Sequence, residues 1–127
     1  MSYDTAIRAT SEMDWRLLFL KARQVVGIPD EWPFQVEDDT VDIWADSIPG
    51  GFDAAVHSYA NHYVALPYDD EDEGPRPAIA EVRFVTDLGG MKDAPAQHAR
   101  YARELGAWLD SLGVSYAVCD SRGDWSP

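Results

Sequence analysis

The sequence predicts an α+β domain in which two helices pack on one face of a mostly antiparallel sheet of about five strands. Two stretches have the three- and four-residue apolar spacing of helices, four strand-like stretches follow one another between them, and a fifth comes last. The predicted order of elements is therefore α-β-β-β-β-α-β. Because no shift in composition marks a boundary, we expect residues 1–127 to form a single domain.

The first helix is predicted over residues 11–26, because the hydroxyl of its first residue can cap backbone N–H groups. Gly27 followed by Pro29 is a natural stop. The apolar positions at helical spacing are Trp15, Leu18, Phe19, Ala22, Val25 and Val26. Leu17 and Leu20 widen this stripe, so we expect the helix to be buried on more than one side.

The middle of the chain has the alternating pattern of strands. Residues 34–37 and 41–45 alternate around a three-residue polar turn, which predicts a β-hairpin. Residues 54–60 fit a helix or a strand, and we expect a strand that ends near Leu66. Residues 79–86 form the next predicted strand, with Ala80, Val82, Phe84 and Thr86 on one face and Glu81, Arg83 and Val85 on the other.

The second helix is predicted to begin at Asp93, which can cap it, and to end at Gly113. Its expected apolar face consists of Tyr101, Ala102, Leu105, Trp108, Leu109 and Leu112. A short strand over residues 114–119 follows. Residues 1–10 and 120–127 are polar and are predicted to be loose termini.

The charge of the chain lies in one continuous segment. Between Gln24 and Pro75 there are thirteen carboxylates and no lysine or arginine, whereas the remaining residues hold ten acids and ten bases. This segment, residues 24–75, is called the acidic segment. Residues 67–76 are predicted to form an acidic loop, because the five adjacent acids Asp69–Glu73 repel one another and disfavour a packed element.

Such a segment indicates the kind of partner the chain binds. A block of negative charge attracts cationic surfaces and repels nucleic acid phosphates and anionic membranes. Direct nucleic acid binding also requires clustered lysine and arginine, which this half of the chain lacks. We therefore expect a basic protein surface as partner, such as a nuclease toxin, a nucleic-acid-binding enzyme or a defence complex, with no direct nucleic acid or membrane binding.

The predicted contacts centre on the hairpin and the acidic loop. Trp44 falls among carboxylates on the outward side of the predicted hairpin, and tryptophan is common among binding hot spots. The predicted partner-binding residues are Glu37, Asp38, Asp39, Asp42, Trp44, Asp46, Asp69, Asp70, Glu71, Asp72 and Glu73. The alternative is that Trp44 packs beneath the acidic loop, or faces the core through a register shifted by one residue.

The sequence carries no recognisable catalytic or metal-binding signature. His57 and His62 are five residues apart, on opposite faces of a strand and about 140° apart on a helix, so neither geometry chelates one metal directly. The acids Asp69–Glu73 do not have the spacing of an EF-hand loop. Cys119 ends an apolar strand, where a buried, unreactive thiol is expected. We predict no catalytic residue, metal or cofactor.

Composition indicates a folded protein of the cytoplasm. Hydrophobic residues make up 46% of the chain, well above what disordered acidic chains carry. The single cysteine fits a reducing compartment, the first residues do not resemble a secretory signal, and no window has the roughly 18 apolar residues that cross a bilayer.

These observations favour a non-catalytic acidic binding protein that inhibits or sequesters a basic partner, of the immunity, anti-defence or nucleic-acid-mimic type. One alternative is a structural or assembly subunit, such as a phage virion component or another homo-oligomer, in which the charge only maintains solubility. A third hypothesis is a small hydrolase or metal enzyme that uses His57 or His62 with carboxylates.

Overall fold

A computed structural model describes residues 2–28, 35–37, 40–42, 61–65, 74–87, 93–120 and 124–126. Within these ranges the chain forms seven strands and two helices. In chain order they are β1 (Ser2–Ala9), α1 (Trp15–Val26), β2 (Gln35–Glu37), β3 (Thr40–Asp42), β4 (Asn61–Ala65), β5 (Ala80–Asp87), α2 (Ala94–Ser111), β6 (Tyr116–Cys119) and β7 (Trp125–Ser126).

The strands form one sheet in the order β2-β3-β4-β5-β1-β6-β7, and each pairing between neighbours is antiparallel. The predicted α+β class is confirmed. The strand count differs from the expected five, because four longer strands (β4, β5, β1 and β6) form the centre and strands of two or three residues extend both edges.

Both helices lie on one face of the sheet and pack against each other. The helix-facing side of the sheet is fully buried at Ile7, Val82 and Val64, which are neighbours across β1, β5 and β4. The ring centroids of Phe84 and Tyr101 are 5.2 Å apart, joining the sheet to α2. The buried apolar side chains of the described residues thus form a cluster between the sheet and the helix pair.

β1 corrects the expectation that residues 1–10 are loose. It lies in the centre of the sheet, between β5 and β6. Ile7 and Ala9 face the helices, whereas Ala6 and Arg8 face the opposite side, and all four side chains are buried. Because both faces are covered, polar residues in this strand are buried too, and the stretch lacks the apolar–polar contrast of a half-exposed strand.

The expectation of a loose stretch at residues 120–127 is also wrong for residues 124–126. Trp125 pairs with Cys119 as part of β7, and the backbone N–H of Asp120 donates to the carbonyl of Asp124 over 3.1 Å. These contacts place residues 124–126 beside β6 at the edge of the sheet.

α1 begins later than predicted and buries only one side. Its N-cap is Asp14, whose carboxylate accepts from the backbone N–H of Arg16 over 2.9 Å. The predicted cap, Ser11, instead accepts from the N–H of Ser115. The helix ends at Gly27 as expected.

The exposed side of α1 contradicts the prediction that the helix is buried on more than one side. Leu17 is 50% exposed and Leu20 is 46% exposed. The buried stripe of Leu18, Ala22 and Val25 already fills the contact with the sheet, so the neighbouring leucines point away from it.

α2 buries the predicted residues Tyr101, Leu105 and Leu109, but Leu112 is 51% exposed because it caps the end of the helix. At the start, Asp93 has a left-handed backbone with φ 60°, and among the described residues its side chain makes no capping hydrogen bond. The N-terminal boundary was thus predicted correctly, whereas the capping interaction was not.

The remaining strand predictions agree with the structure where it describes the chain. β2 and β3 form the predicted antiparallel hairpin, and β4 ends at Ala65, close to the expected Leu66. In β5 the predicted inner positions Ala80, Val82, Phe84 and Thr86 are all buried. Residues 54–60, ambiguous in the sequence, lie outside the described ranges.

Candidate functional site

Two of the predicted partner-binding residues belong to the hairpin at one edge of the sheet. Glu37 is paired with Thr40, and Asp42 is paired with Gln35, so both positions lie in the β2–β3 hairpin. On the other side of β3, Val41 pairs with Val64, which anchors the hairpin to the buried centre of the sheet. The other predicted contacts, Asp38, Asp39, Trp44, Asp46, Asp69, Asp70, Glu71, Asp72 and Glu73, lie outside the described residues.

Ion pairs among the described residues use carboxylates from outside the acidic segment. Arg8 and Arg83 both contact Glu81, at 2.8 and 3.2 Å, and Arg100 contacts Glu104 at 3.2 Å. Both accepting residues follow Pro75 in the sequence. Part of the positive charge of the molecule is therefore paired with acids other than the thirteen of the acidic segment.

A buried arginine organises the face of the sheet away from the helices, which we call the outer face. Only 1% of Arg8 is exposed, and its Nε and Nη2 atoms donate to Glu81 Oε1 over 3.0 and 2.8 Å. The two residues are directly opposite across β1 and β5. On its other side, the Arg8 guanidinium lies 4.4 Å from the centroid of the Trp125 ring, a cation–π contact.

Arg8 also contacts the stretch that leaves the predicted acidic loop. Its Nη1 atom donates to the carbonyl of Pro75 over 3.3 Å. Gly74 has φ 126°, and a Cβ there would lie 2.5 Å from Arg8 Nη1 and 2.9 Å from Trp125 Nε1. Any other residue at this position would have a strained backbone, and its Cβ would clash with Arg8 and Trp125. Glycine therefore allows the chain to approach these two side chains closely. The end of the acidic segment is thus held on the outer face.

Sequence reasoning missed Arg8, Glu81 and Trp125 as an organising group. The period-two alternation of β5 did place Glu81 on the face away from the helices, and that part of the prediction is correct. A sequence signal for β1 does exist. Thr5, Ile7 and Ala9 fall at every second position, as on one face of a strand, which would have placed Arg8 on the other face.

His98 is a buried polar group of the core. Its Nε2 atom lies 2.9 Å from Thr86 Oγ1 and its Nδ1 atom 3.0 Å from Thr5 Oγ1, so both ring nitrogens are hydrogen bonded. Burial lowers the pKa of His98 to about 4, while the nearby carboxylate of Asp4 acts in the opposite direction. The ring is therefore neutral at neutral pH and has a structural role.

The hypothesis of a histidine-based active site gains no geometric support. His62 contributes backbone pairing to β4, and His57 lies outside the described residues. Within the part of the chain that the structure describes, no group of three or more histidine, cysteine or acidic side chains is arranged to hold a metal ion.

Cys119 is buried, as predicted, and it lies opposite Ala6 on the outer face. Burial raises the pKa of its thiol, the guanidinium of Arg83 acts against this shift, and Asp120 adds to it. A thiol that is both covered and protonated is a weak nucleophile, so its environment is that of a structural residue.

Comparison with known proteins gives no significant match, either to a family model or to a curated protein or solved structure. Neither described helix is long and apolar enough to span a membrane.

Proposed function

We propose that this chain is a non-catalytic acidic binding protein that sequesters or inhibits a basic protein partner. The observation that carries the proposal is the acidic segment, with thirteen carboxylates and no lysine or arginine over residues 24–75. A surface of that composition raises the rate of encounter with a cationic protein and favours its retention. A groove that has evolved to bind phosphates offers the complementary positive charge.

The fold supports the proposal because it attaches the hairpin and the end of the acidic loop, two parts of the acidic segment, to the sheet. The β2–β3 hairpin, which carries Glu37 and Asp42, belongs to one edge of the sheet. Gly74 and Pro75, which follow the five acids of the loop, are held on the outer face by Arg8. Attachment of both parts to one rigid sheet reduces the conformational entropy lost when a partner binds.

In this proposal the hairpin and loop carboxylates make the electrostatic contacts, and Trp44 supplies an aromatic anchor. The partner class is a nuclease toxin, a nucleic-acid-binding enzyme or a defence complex, each with a basic surface for phosphates. The setting is the cytoplasm, because the single cysteine and the apolar content fit a folded protein in a reducing compartment.

The test compares two variants of equal charge. The first neutralises four loop acids (Asp70→Asn, Glu71→Gln, Asp72→Asn and Glu73→Gln), and the second neutralises four exposed acids elsewhere (Glu12→Gln, Asp93→Asn, Glu104→Gln and Asp124→Asn). Binding to a panel of basic nucleases and nucleic-acid-binding proteins is measured by calorimetry at low and physiological salt. We expect a bound panel member to lose at least about tenfold in affinity with the loop variant and less than about threefold with the control.

Two results would contradict the proposal. Equal weakening by both variants would mean that net charge alone matters, without a binding surface in the acidic segment. An affinity for basic partners that does not change between low and physiological salt would exclude the electrostatic mechanism, because exposed charge pairs are screened within about 8 Å at physiological ionic strength.

A second candidate function is that of an assembly subunit, and the exposed leucines of the helix layer favour it. Leu17 and Leu20 lie on the solvent side of α1, where they could be covered by another copy. Light scattering on the purified protein tests this directly. Assembly that is abolished by Leu17→Ser with Leu20→Ser would support it, and a monomer at millimolar concentration would exclude it.

A further inference from the structure

The C-terminal end of α2 opens into a groove at the edge of the sheet opposite the β2–β3 hairpin. A cleft of about 530 Å³ is lined by Asp110, Ser115 and Tyr116, together with the residues that end the helix. A second cleft of about 320 Å³ shares Ser115 and Tyr116 and adds Pro75 and Trp125. We call these two adjoining clefts the Tyr116 groove.

The end of the groove next to α2 is negatively charged. Asp110 is exposed and lies in the last turn of the helix, where the peptide dipoles place partial negative charge. That turn, which the structure describes in full, carries no basic residue. Among the described residues that line the two clefts, none is lysine or arginine. The site therefore favours a cation.

Tyr116 forms a fixed wall between the two clefts. Its hydroxyl approaches the helix so closely that a Cβ on Gly106 would lie 2.6 Å from it. Burial raises the pKa of Tyr116, and the charge and hydrogen bond of Asp110 raise it further, so the hydroxyl stays protonated. The ring is thus held beside the carboxylate, with its apolar surface available to the groove.

The other end of the groove is apolar and aromatic. Pro75, Ala117 and Trp125 line it, and the Trp125 ring is held in place by the guanidinium of Arg8 at 4.4 Å. Rigid aromatic and proline surfaces bind apolar side chains with little loss of conformational entropy. The groove therefore has a carboxylate and a fixed aromatic ring at one end and an apolar surface at the other. This arrangement is complementary to a short peptide in which a cationic side chain is next to apolar residues.

We propose that the Tyr116 groove binds an arginine-containing segment of a partner protein, with the guanidinium at Asp110 and a following proline or apolar side chain against Trp125. Arginine fits better than lysine, because its planar group pairs with a carboxylate and stacks on an aromatic ring at the same time. The groove adjoins β6 and β7, four strand spacings or about 20 Å from β3, so it is separate from the hairpin.

The test uses a peptide probe and the intact protein. Acetyl-Arg-Pro-Leu-amide is titrated into ¹⁵N-labelled protein, with acetyl-Gln-Pro-Leu-amide as the uncharged match. We expect saturable shifts confined to residues 110–117 and the Trp125 indole, with a Kd of about 0.1 to 1 mM for the arginine peptide. Asp110→Asn, which keeps the shape of the side chain, should weaken binding at least fivefold. Glu104→Gln, which removes the same charge from an exposed site on α2, should change it less than twofold.

Three outcomes would overturn the proposal: no saturable shifts, equal binding of the glutamine peptide, or equal effects of Asp110→Asn and Glu104→Gln. The loop variant that neutralises residues 70–73 separates this site from the acidic segment. If it abolishes peptide binding while Asp110→Asn does not, the peptide binds the acidic segment, and the groove is excluded while the proposed function stands. If the groove binds the peptide but no basic protein binds the acidic segment, the proposed function is excluded and the groove proposal stands.

Discussion

Arg8 and Glu81 are paired across the two central strands, with Nη2 and Oε1 2.8 Å apart and the arginine almost entirely buried. This contact lies on the outer face of the sheet, away from the two described helices. Glu81 also accepts from Arg83, so one carboxylate serves two guanidinium groups. The outer face therefore depends on a charged pair for part of its stability.

Glu81→Gln should lower the free energy of unfolding by about 2 to 4 kcal/mol, because a buried guanidinium loses a charged acceptor. Urea denaturation measures the change. The matched control is Glu104→Gln, which removes the exposed partner of Arg100 and should cost less than about 1 kcal/mol. Similar losses for the two variants would show that the buried pair does not stabilise the outer face.

The stability of the fold should depend on pH through His98. The pKa of His98 is about 4 in the folded protein, against 6.5 for an unperturbed histidine. Between pH 4 and pH 6.5 the histidine is therefore protonated in the unfolded chain but neutral in the folded protein. The contribution of the buried, neutral His98 ring to the free energy of unfolding is fully present above pH 6.5. It decreases as the pH falls towards 4, by up to about 3 kcal/mol. NMR titration of the His98 ring should give a midpoint near pH 4, and a midpoint near 6.5 would contradict the burial argument.

Gly106→Ala should destabilise the protein although alanine favours helices more than glycine does. The added Cβ would lie 2.6 Å from the Tyr116 hydroxyl, so the ring must move. We expect the free energy of unfolding, measured by urea denaturation, to fall by about 1 to 3 kcal/mol. At a helix position without such a contact, the same substitution would raise it by about 1 kcal/mol through helix propensity. In the double variant with Tyr116→Phe, part of the loss should be recovered. Additive effects would contradict a direct contact.

Cys119 should react slowly with alkylating reagents in the native state. Its side chain is buried and burial raises the pKa of the thiol, so both access and thiolate population are reduced. Modification by iodoacetamide at pH 8, followed by mass spectrometry, should be at least about a hundredfold slower than in 6 M guanidinium chloride. Comparable rates in the two conditions would mean that the outer face opens freely.

The sequence predicted elements well where one face of a helix or strand meets solvent. The alternation of β5 and the spacing of Tyr101, Leu105 and Leu109 in α2 produce a contrast between apolar and polar positions, and both predictions are confirmed. β1 was missed for the opposite reason. Arg8 is polar but buried by pairing with Glu81, so the local pattern resembles that of a solvated terminus.

Side-chain burial on the helices was predicted less well, because spacing alone does not say how wide the contact is. Leu17 and Leu20 extend the apolar stripe of α1, yet the sheet and α2 cover only one side of the helix. The groove at Tyr116 was also beyond prediction, since it depends on Asp110, Pro75 and Trp125 meeting through the sheet order. The proposed contacts of the acidic segment stay predictions.

The central position of β1 has a consequence for synthesis on the ribosome. Residues 2–9 are translated before the rest of the described chain, yet their sheet partners are residues 80–87 and 116–119. The middle of the sheet therefore cannot close until residues 116–119 have emerged, which is the situation of high contact order and slow folding. During that interval the acidic segment is already exposed, and its repulsion should keep nascent chains on neighbouring ribosomes from joining through the unpaired strand.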